Sequence, residues 1–140
     1  MPAALAEIID DFQAIEESER LQLLLEFSRS LPALPERFAQ HPELLEQVVE
    51  CQSPLFLTLQ IEDGAVQLYF SAPPEAPTTR GFASVLHEGL NGCSPAEILA
   101  VPDDMPEQLG LTRALTPLRL RGMSAMLGRI KRQIRAQIAD

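Results

Sequence analysis

The sequence predicts an α+β domain in which helices cover one face of a small antiparallel sheet of about three strands. Three observations lead to this prediction. Apolar residues recur at helical spacing before residue 31 and after residue 77, but alternate with polar residues between 55 and 71. Asp63-Gly64 lies within the alternating stretch and is a strong hairpin signal. The length of 140 residues suits one domain, residues 1–140, with a core of its own.

Two helices are predicted at the N-terminal end. Residues 3–16 carry one apolar stripe, formed by Leu5, Ile8, Ile9, Phe12 and Ile15. A second helix is expected over about 19–30, with Ser18 as its N-cap. The prolines in Leu31-Pro32-Ala33-Leu34-Pro35 end it, because proline cannot continue a helix. Pro35 and Pro42 can each open a further short helical turn.

The centre of the chain predicts a hairpin. Residues 55–61 and 65–71 each alternate apolar and polar side chains, and Asp63-Gly64 joins them. An isolated hairpin is only marginally stable, so a third strand is expected, with Val48-Val49 as the candidate.

The C-terminal half predicts three helices after the proline-rich connector 71–77. The first is capped by Thr78 or Thr79 and ended by Asn91-Gly92. Ser94-Pro95-Ala96-Glu97 forms a capping box that opens a short helix. Thr116-Pro117 begins the last helix, whose predicted buried stripe is Met123, Met126, Leu127, Ile130, Ile134 and Ile138, opposite Arg121, Arg132 and Arg135.

Composition and charge exclude several classes of function. The net charge of −9 disfavours nonspecific nucleic-acid binding, which depends on neutralising phosphates. No apolar run approaches the roughly 20 residues of a membrane span. The segment MPAALAEIIDDF has early acids and no basic region, unlike a signal peptide. We therefore expect a cytoplasmic protein that binds neither nucleic acid nor membrane.

The charges are unevenly distributed along the chain. Residues 1–50 have a net charge of −8, residues 51–112 of −7 and residues 113–140 of +6. Pairing of a basic terminal helix with the acidic remainder explains this most simply. A charged docking surface for a protein partner is the alternative.

Few residues suggest catalysis or metal binding. His41 and His87 are far apart, and the sequence has no metal-ligand spacing, phosphate-binding loop or hydrolase motif. We expect neither a metal nor a cofactor.

The two cysteines are the remaining candidates for chemistry. Cys51 precedes the hairpin, where functional groups concentrate, although a free cysteine is also often a small buried hydrophobe. Cys93 is expected to be an incidental turn residue.

Several motifs together resemble the SufE cysteine-desulfuration family. The most specific are Cys51-Gln52-Ser53 before the hairpin and the run Thr116-Pro117-Leu118-Arg119-Leu120-Arg121-Gly122-Met123. Further matches lie between them, at Arg80-Gly81-Phe82, at Gly92-Cys93-Ser94-Pro95-Ala96-Glu97-Ile98 and at Leu109-Gly110-Leu111. The ordered set covers roughly Leu5 to Ile138 and is specific, whereas each motif alone is weak.

The resemblance implies a role in sulfur transfer. SufE-like proteins accept persulfide sulfur from a pyridoxal-phosphate cysteine desulfurase (SufS-like) and pass it to an iron–sulfur scaffold complex (SufBCD-like). They are accessory proteins, not enzymes, and have an IscU-like α+β fold. The acceptor thiol maps onto Cys51. We expect a monomer or a weak homodimer. The alternative is a binding module that regulates a desulfurase or another partner with Cys51 unused.

The resemblance also suggests roles around Cys51. The attacking sulfur must be a thiolate, so a nearby guanidinium would help, and Arg119 is the predicted one. Gln52 and Ser53 are expected to orient the loop or to form a hydrogen bond with the sulfur, and Gly122 to permit close packing of helix and loop. Glu75 and Arg119 are the predicted rim of the docking surface.

The sequence departs from the family pattern in three places. Glu50 stands where glycine is usual, Glu75 is the only acid left of an acidic turn, and Leu118 and Leu120 replace small polar residues. The first two lie near the expected partner contacts and therefore bear on which desulfurase is recognised.

Overall fold

The computed structural model describes residues 1–139, which form an α+β structure of helices around a three-stranded sheet. The helices are α1 (Ala3–Ala14), α2 (Glu17–Phe27), α3 (Glu36–Ala39), α4 (Pro77–Leu90), α5 (Pro95–Leu99) and α6 (Pro117–Ile138), and the strands are β1 (Glu46–Gln47), β2 (Phe56–Glu62) and β3 (Ala65–Ser71). Short 3-10 turns occupy Ser28–Ser30, Pro42–Leu44, Val49–Cys51 and Met105–Leu109. The predicted fold class is confirmed.

The sheet is antiparallel and has the order β1-β2-β3. Glu62 pairs with Ala65, so Asp63 and Gly64 form a two-residue turn, with φ of 52° and 78°. Two positive φ values in succession are what a tight hairpin requires, which explains the Asp-Gly pair. The third strand was predicted at Val48-Val49 and lies two residues earlier. Val48 instead turns its side chain into the core, and the chain then enters a 3-10 turn.

One face of the sheet carries the main core. Leu57 and Leu59 of β2 and Leu68 and Phe70 of β3 are buried there, and α4 and α6 pack against the sheet. The opposite face is partly covered by the single turn of α3, where the rings of Phe38 and Tyr69 lie 4.8 Å apart between centroids. The long helices thus lie on one side, as predicted.

The helix caps divide into two groups. The capping box of Ser94 and Glu97 and the Thr116 cap of α6 are confirmed. The predicted Ser18, Thr78 and Thr79 caps are wrong, because Glu16 and Ala76 occupy those N-cap positions. Pro77 is the first residue of α4; its fixed φ suits a helix start, and it has no amide that needs a cap. The predicted buried stripe of α6 ends at Ile134, since Ile138 is exposed.

Basic residues of α6 pair with acids elsewhere in the chain. Arg129 and Arg132 contact Glu46 of β1, and Lys131 contacts Asp103. This is the intramolecular pairing that the uneven charge distribution suggested. Among residues 1–139, no helix combines the length and the apolar character needed to cross a bilayer.

Candidate functional site: the Cys51 loop

Cys51 ends the 3-10 turn between β1 and β2. Residues 49–54, named here the Cys51 loop, leave the sheet after Val48 and return at Leu55, where the amide of Val48 donates to the carbonyl of Leu55 at 2.9 Å. Cys51 and Gln52 donate to Val48 and Val49 within the turn, each at 3.1 Å. Gln52 has a left-handed backbone with φ of 55°, which turns the chain back toward β2.

The Cys51 side chain is closed against α6. It is 8% exposed, and its Sγ donates a long hydrogen bond to the carbonyl of Gly122, at 3.6 Å. A Cβ on Gly122 would lie 3.2 Å from this Sγ and 3.4 Å from the Cys51 Cα. Glycine at 122 therefore allows the loop to lie directly on the helix. The structure brings these two predicted site residues together.

The thiol is held in its neutral form. Burial, and then the neighbouring Glu50 carboxylate, raise the pKa of Cys51 from its ordinary value of 9.0 to about 11, while the Arg129 guanidinium opposes them. Desolvation disfavours the charged form of any buried acid. The closed loop thus stores a protonated sulfur, and formation of a thiolate near neutral pH requires a change in its surroundings.

Arg129 is the basic residue nearest this chemistry, and sequence reasoning missed it. Its guanidinium donates two hydrogen bonds to the Glu50 carboxylate, at 2.8 Å and 3.2 Å. The backbone amide of Glu50 and then the Arg129 side chain hold the pKa of Glu50 below its usual range. The sequence signal that could have identified Arg129 is its position: it lies two helical turns after Gly122 and therefore on the same side of α6.

The other predicted site residues lie apart from the sulfur. Gln52 is exposed and Ser53 half-buried, and within residues 1–139 neither side chain makes a hydrogen bond. Glu75 is exposed in the connector before α4. Arg119 is exposed in the first turn of α6, where its amide, not its guanidinium, bonds the Thr116 hydroxyl. The roles predicted for these four residues stay predictions.

Large apolar side chains are exposed to solvent in the Cys51 loop and at the start of α6. Val49, in the loop, is 62% exposed, and Leu118, one helical turn before Gly122, is 43% exposed. Within residues 1–139, no group of three or more His, Cys, Asp or Glu is placed to hold a metal ion.

The second free thiol has a different setting. Cys93 follows α4 and is half-buried, with Sγ 4.0 Å from the carbonyl of Gly89 in that helix. Burial and then Glu97 raise its pKa.

The fold and the site together define a small α+β protein whose candidate chemistry rests on one covered thiol in a loop between two strands. The family model described as "SufE: Fe-S metabolism associated domain" matches residues 6–134. The chain therefore belongs to the SufE family, as its motifs predicted. Its sulfur-transfer role is linked to iron–sulfur metabolism, and the family is accessory to cysteine desulfurase systems.

Individual relatives agree with this assignment. A SufE-like protein of Mycobacterium tuberculosis is 55% identical over 136 residues, which cover 96% of this chain and 94% of that protein. The cysteine desulfuration protein SufE of Plasmodium falciparum is 23% identical over 132 residues, covering 91% of this chain and 52% of that protein. The solution structure of a hypothetical protein from Thermus thermophilus has a TM-score of 0.86 and 39% identity, and covers 100% of this chain and 99% of its own.

Proposed function

We propose that Cys51 accepts sulfur from the persulfide of a SufS-like, pyridoxal-phosphate cysteine desulfurase, stimulates that enzyme, and passes the sulfur to a SufBCD-like scaffold complex. The Cys51 thiolate attacks the outer sulfur of the desulfurase persulfide. A new S–S bond forms on Cys51, the old one breaks, and the desulfurase cysteine leaves as a thiolate. The exchange needs no external oxidant or reductant.

The observation that carries the proposal is the way in which Cys51 is held. A carrier must keep its sulfur from solvent and yet deliver it to another protein. Cys51 is almost fully covered, but it lies in a loop between two strands, with exposed Val49 two residues before it. Opening of this loop would expose the sulfur and remove the burial that keeps it protonated.

We further propose that the chain carries no resident metal or cofactor and that pyridoxal phosphate belongs to the partner. It acts in the cytoplasm as an accessory protein, as a monomer or a weak homodimer. A thiol so covered and so protonated also favours the alternative, a module that binds and regulates the desulfurase with Cys51 unused.

Intact mass tests the proposal. After incubation with a desulfurase and cysteine, the mass should rise by about 32 Da, one sulfur atom. Cys51→Ser should abolish the rise, because serine is nearly isosteric but forms no persulfide, whereas Cys93→Ser should retain it. Equal sulfur uptake by the Cys51→Ser protein would overturn the proposal. Full stimulation of the desulfurase by the Cys51→Ser protein would establish the regulatory module instead.

A further inference from the structure

The Cys51 loop is attached to the rest of the molecule by side chains. Among the described residues, every backbone–backbone hydrogen bond of 49–54 stays within 48–55. Two side chains of the loop form hydrogen bonds with α6: Cys51 Sγ with the Gly122 carbonyl, and the Glu50 carboxylate with Arg129. A thiol is a weak donor, whereas two hydrogen bonds between an arginine and a carboxylate form a strong, directional contact. The pair of Glu50 and Arg129 is therefore the main polar tether of the loop.

Arg129 also contacts a second carboxylate, that of Glu46 in β1. Its Nε lies 3.2 Å from Glu46 Oε2, an ion pair that lacks hydrogen-bond geometry, and its side chain is only 21% exposed. Glu46 also accepts a hydrogen bond from Gln133 Nε2 at 2.9 Å. The guanidinium is thus fixed between a carboxylate of β1 and the carboxylate next to Cys51. An isolated surface ion pair contributes little, but a half-buried, doubly bonded pair within a network loses less side-chain entropy on forming.

We propose that Arg129 is a positioning residue for sulfur transfer: by holding Glu50 it closes the Cys51 loop on α6, and so sets the fraction of molecules in which the Cys51 sulfur is accessible. The inference rests on the proposed function, in which Cys51 is the acceptor. Release of Glu50 frees the loop and moves a carboxylate away from the thiol. The Arg129 guanidinium is then left unpaired with Glu50 on the face of α6 that the sulfur covered.

The rate of Cys51 modification by dithiodipyridine tests this directly. The probe is uncharged, so removing an arginine does not alter its attraction to the protein, and a Cys93→Ser background leaves one thiol. Arg129→Gln and Glu50→Gln should each raise the rate about fivefold, as expected for the loss of a partly buried pair worth about 1 kcal/mol. Arg135→Gln makes the same charge change on an exposed site of α6 and should leave the rate unchanged.

Three further readouts separate positioning from general destabilisation. The double variant Glu50→Gln/Arg129→Gln should react no faster than either single variant, because the two residues act as one tether. Arg129→Lys should restore part of the slow rate. Added salt should speed the parent but not Arg129→Gln, since salt screens the pair. Urea unfolding shows whether a variant is folded. Should Arg129→Gln fail to fold, the two single variants Glu50→Gln and Arg129→Lys test the positioning role in its place.

An unchanged rate in Arg129→Gln and Glu50→Gln would overturn the positioning role. So would an equal acceleration in Arg135→Gln, or single-variant effects that multiply in the double variant. These outcomes are distinct from failure of the proposed function. If Cys51 takes up sulfur while the rates stay unchanged, only the role of Arg129 fails. If Cys51→Ser takes up sulfur, the carrier assignment fails whatever the modification rates.

Discussion

The two free cysteines lie in regions that are fastened in opposite ways. Cys93 is the more exposed, yet its backbone is bound to the sheet: the Val66 amide donates to the Cys93 carbonyl at 2.8 Å, and the Gly92 amide donates to Val66 at 2.7 Å. Cys51 is the more covered, yet its loop makes hydrogen bonds to α6 only through the side chains of Cys51 and Glu50. Moving Cys93 would break main-chain hydrogen bonds to β3, whereas moving Cys51 breaks no main-chain hydrogen bond to α6 but loses one weak thiol hydrogen bond, one ion pair and the packing of a buried side chain.

The comparison teaches that exposure in the closed structure is a poor guide to which thiol serves a protein partner. A half-exposed thiol on a fixed segment meets small oxidants but cannot extend into another active site. A covered thiol on a loosely attached loop is protected until a partner moves the loop. The predictions below test this difference between Cys51 and Cys93.

The largest expected effect is on intrinsic reactivity. A pKa raised from 9.0 to about 11 leaves Cys51 with about 100-fold less thiolate near neutral pH than an unperturbed thiol. In a Cys93→Ser background, iodoacetamide should therefore modify Cys51 about 100-fold more slowly than it modifies a peptide of residues 48–55. The rate should still be rising well above pH 9.0, and the peptide serves as control. A folded protein that reacts as fast as the peptide would show that Cys51 is not sheltered.

A smaller effect is expected from crowding the loop against its helix. Gly122→Ala places a methyl group 3.2 Å from Cys51 Sγ, so Cys51 must move away from the helix by a few tenths of an ångström. Overpacking of this kind costs about 1–3 kcal/mol, and we expect a three- to tenfold faster modification of Cys51, with Cys93 unaffected.

Gly128→Ala is the matched control for this variant. It lies on the same helix and its added methyl group meets nothing within 4 Å. It should stabilise the fold by up to about 1 kcal/mol, measured by urea unfolding, without changing Cys51 reactivity. Equal rates in the two variants would mean that contact with Gly122 does not hold the sulfur closed.

The smallest expected effect concerns the exposed rim. Arg119→Ala should lower the rate of sulfur transfer about two- to fivefold at low salt, and Arg132→Ala less, because rim charges act mainly on encounter. Arg119 lies near the Gly122 end of α6, whereas Arg132 already contacts Glu46. Steady-state stimulation of the desulfurase at two salt concentrations measures both. If the variants behave alike, the basic helix acts only as a diffuse field.

Local signals account for the parts of the fold that the sequence predicted. The Asp63-Gly64 turn, the Ser94 capping box and the Thr116 cap each depend on residues within four positions of one another. The third strand was predicted at Val48-Val49 because both residues are β-branched, but only Val48 is buried, and the chain begins a 3-10 turn at the exposed Val49. Ser18 failed as a cap because α2 begins at Glu17, two residues before the predicted start, so that Ser18 lies inside the first turn.

The candidate site divides in the same way. Cys51 and Gly122 could be named from short motifs, and the structure brings them into contact. The pairing of Glu50 with Arg129 joins residues 79 positions apart, and its sequence signal, the position of Arg129 two helical turns after Gly122, is not a local motif. The basic residue expected near the sulfur was accordingly Arg119, which the structure leaves in solvent.

Peptide mapping of the native protein tests the central claim most directly, since both thiols then compete for the same sulfur. The protein is incubated with a desulfurase and cysteine, the thiols and persulfides are blocked with an alkylating reagent, and the digest is analysed by mass spectrometry. The account predicts an added sulfur on the peptide that contains the covered Cys51 and none on the peptide that contains the half-exposed Cys93. Sulfur on the Cys93 peptide, or divided equally between the two, would contradict it.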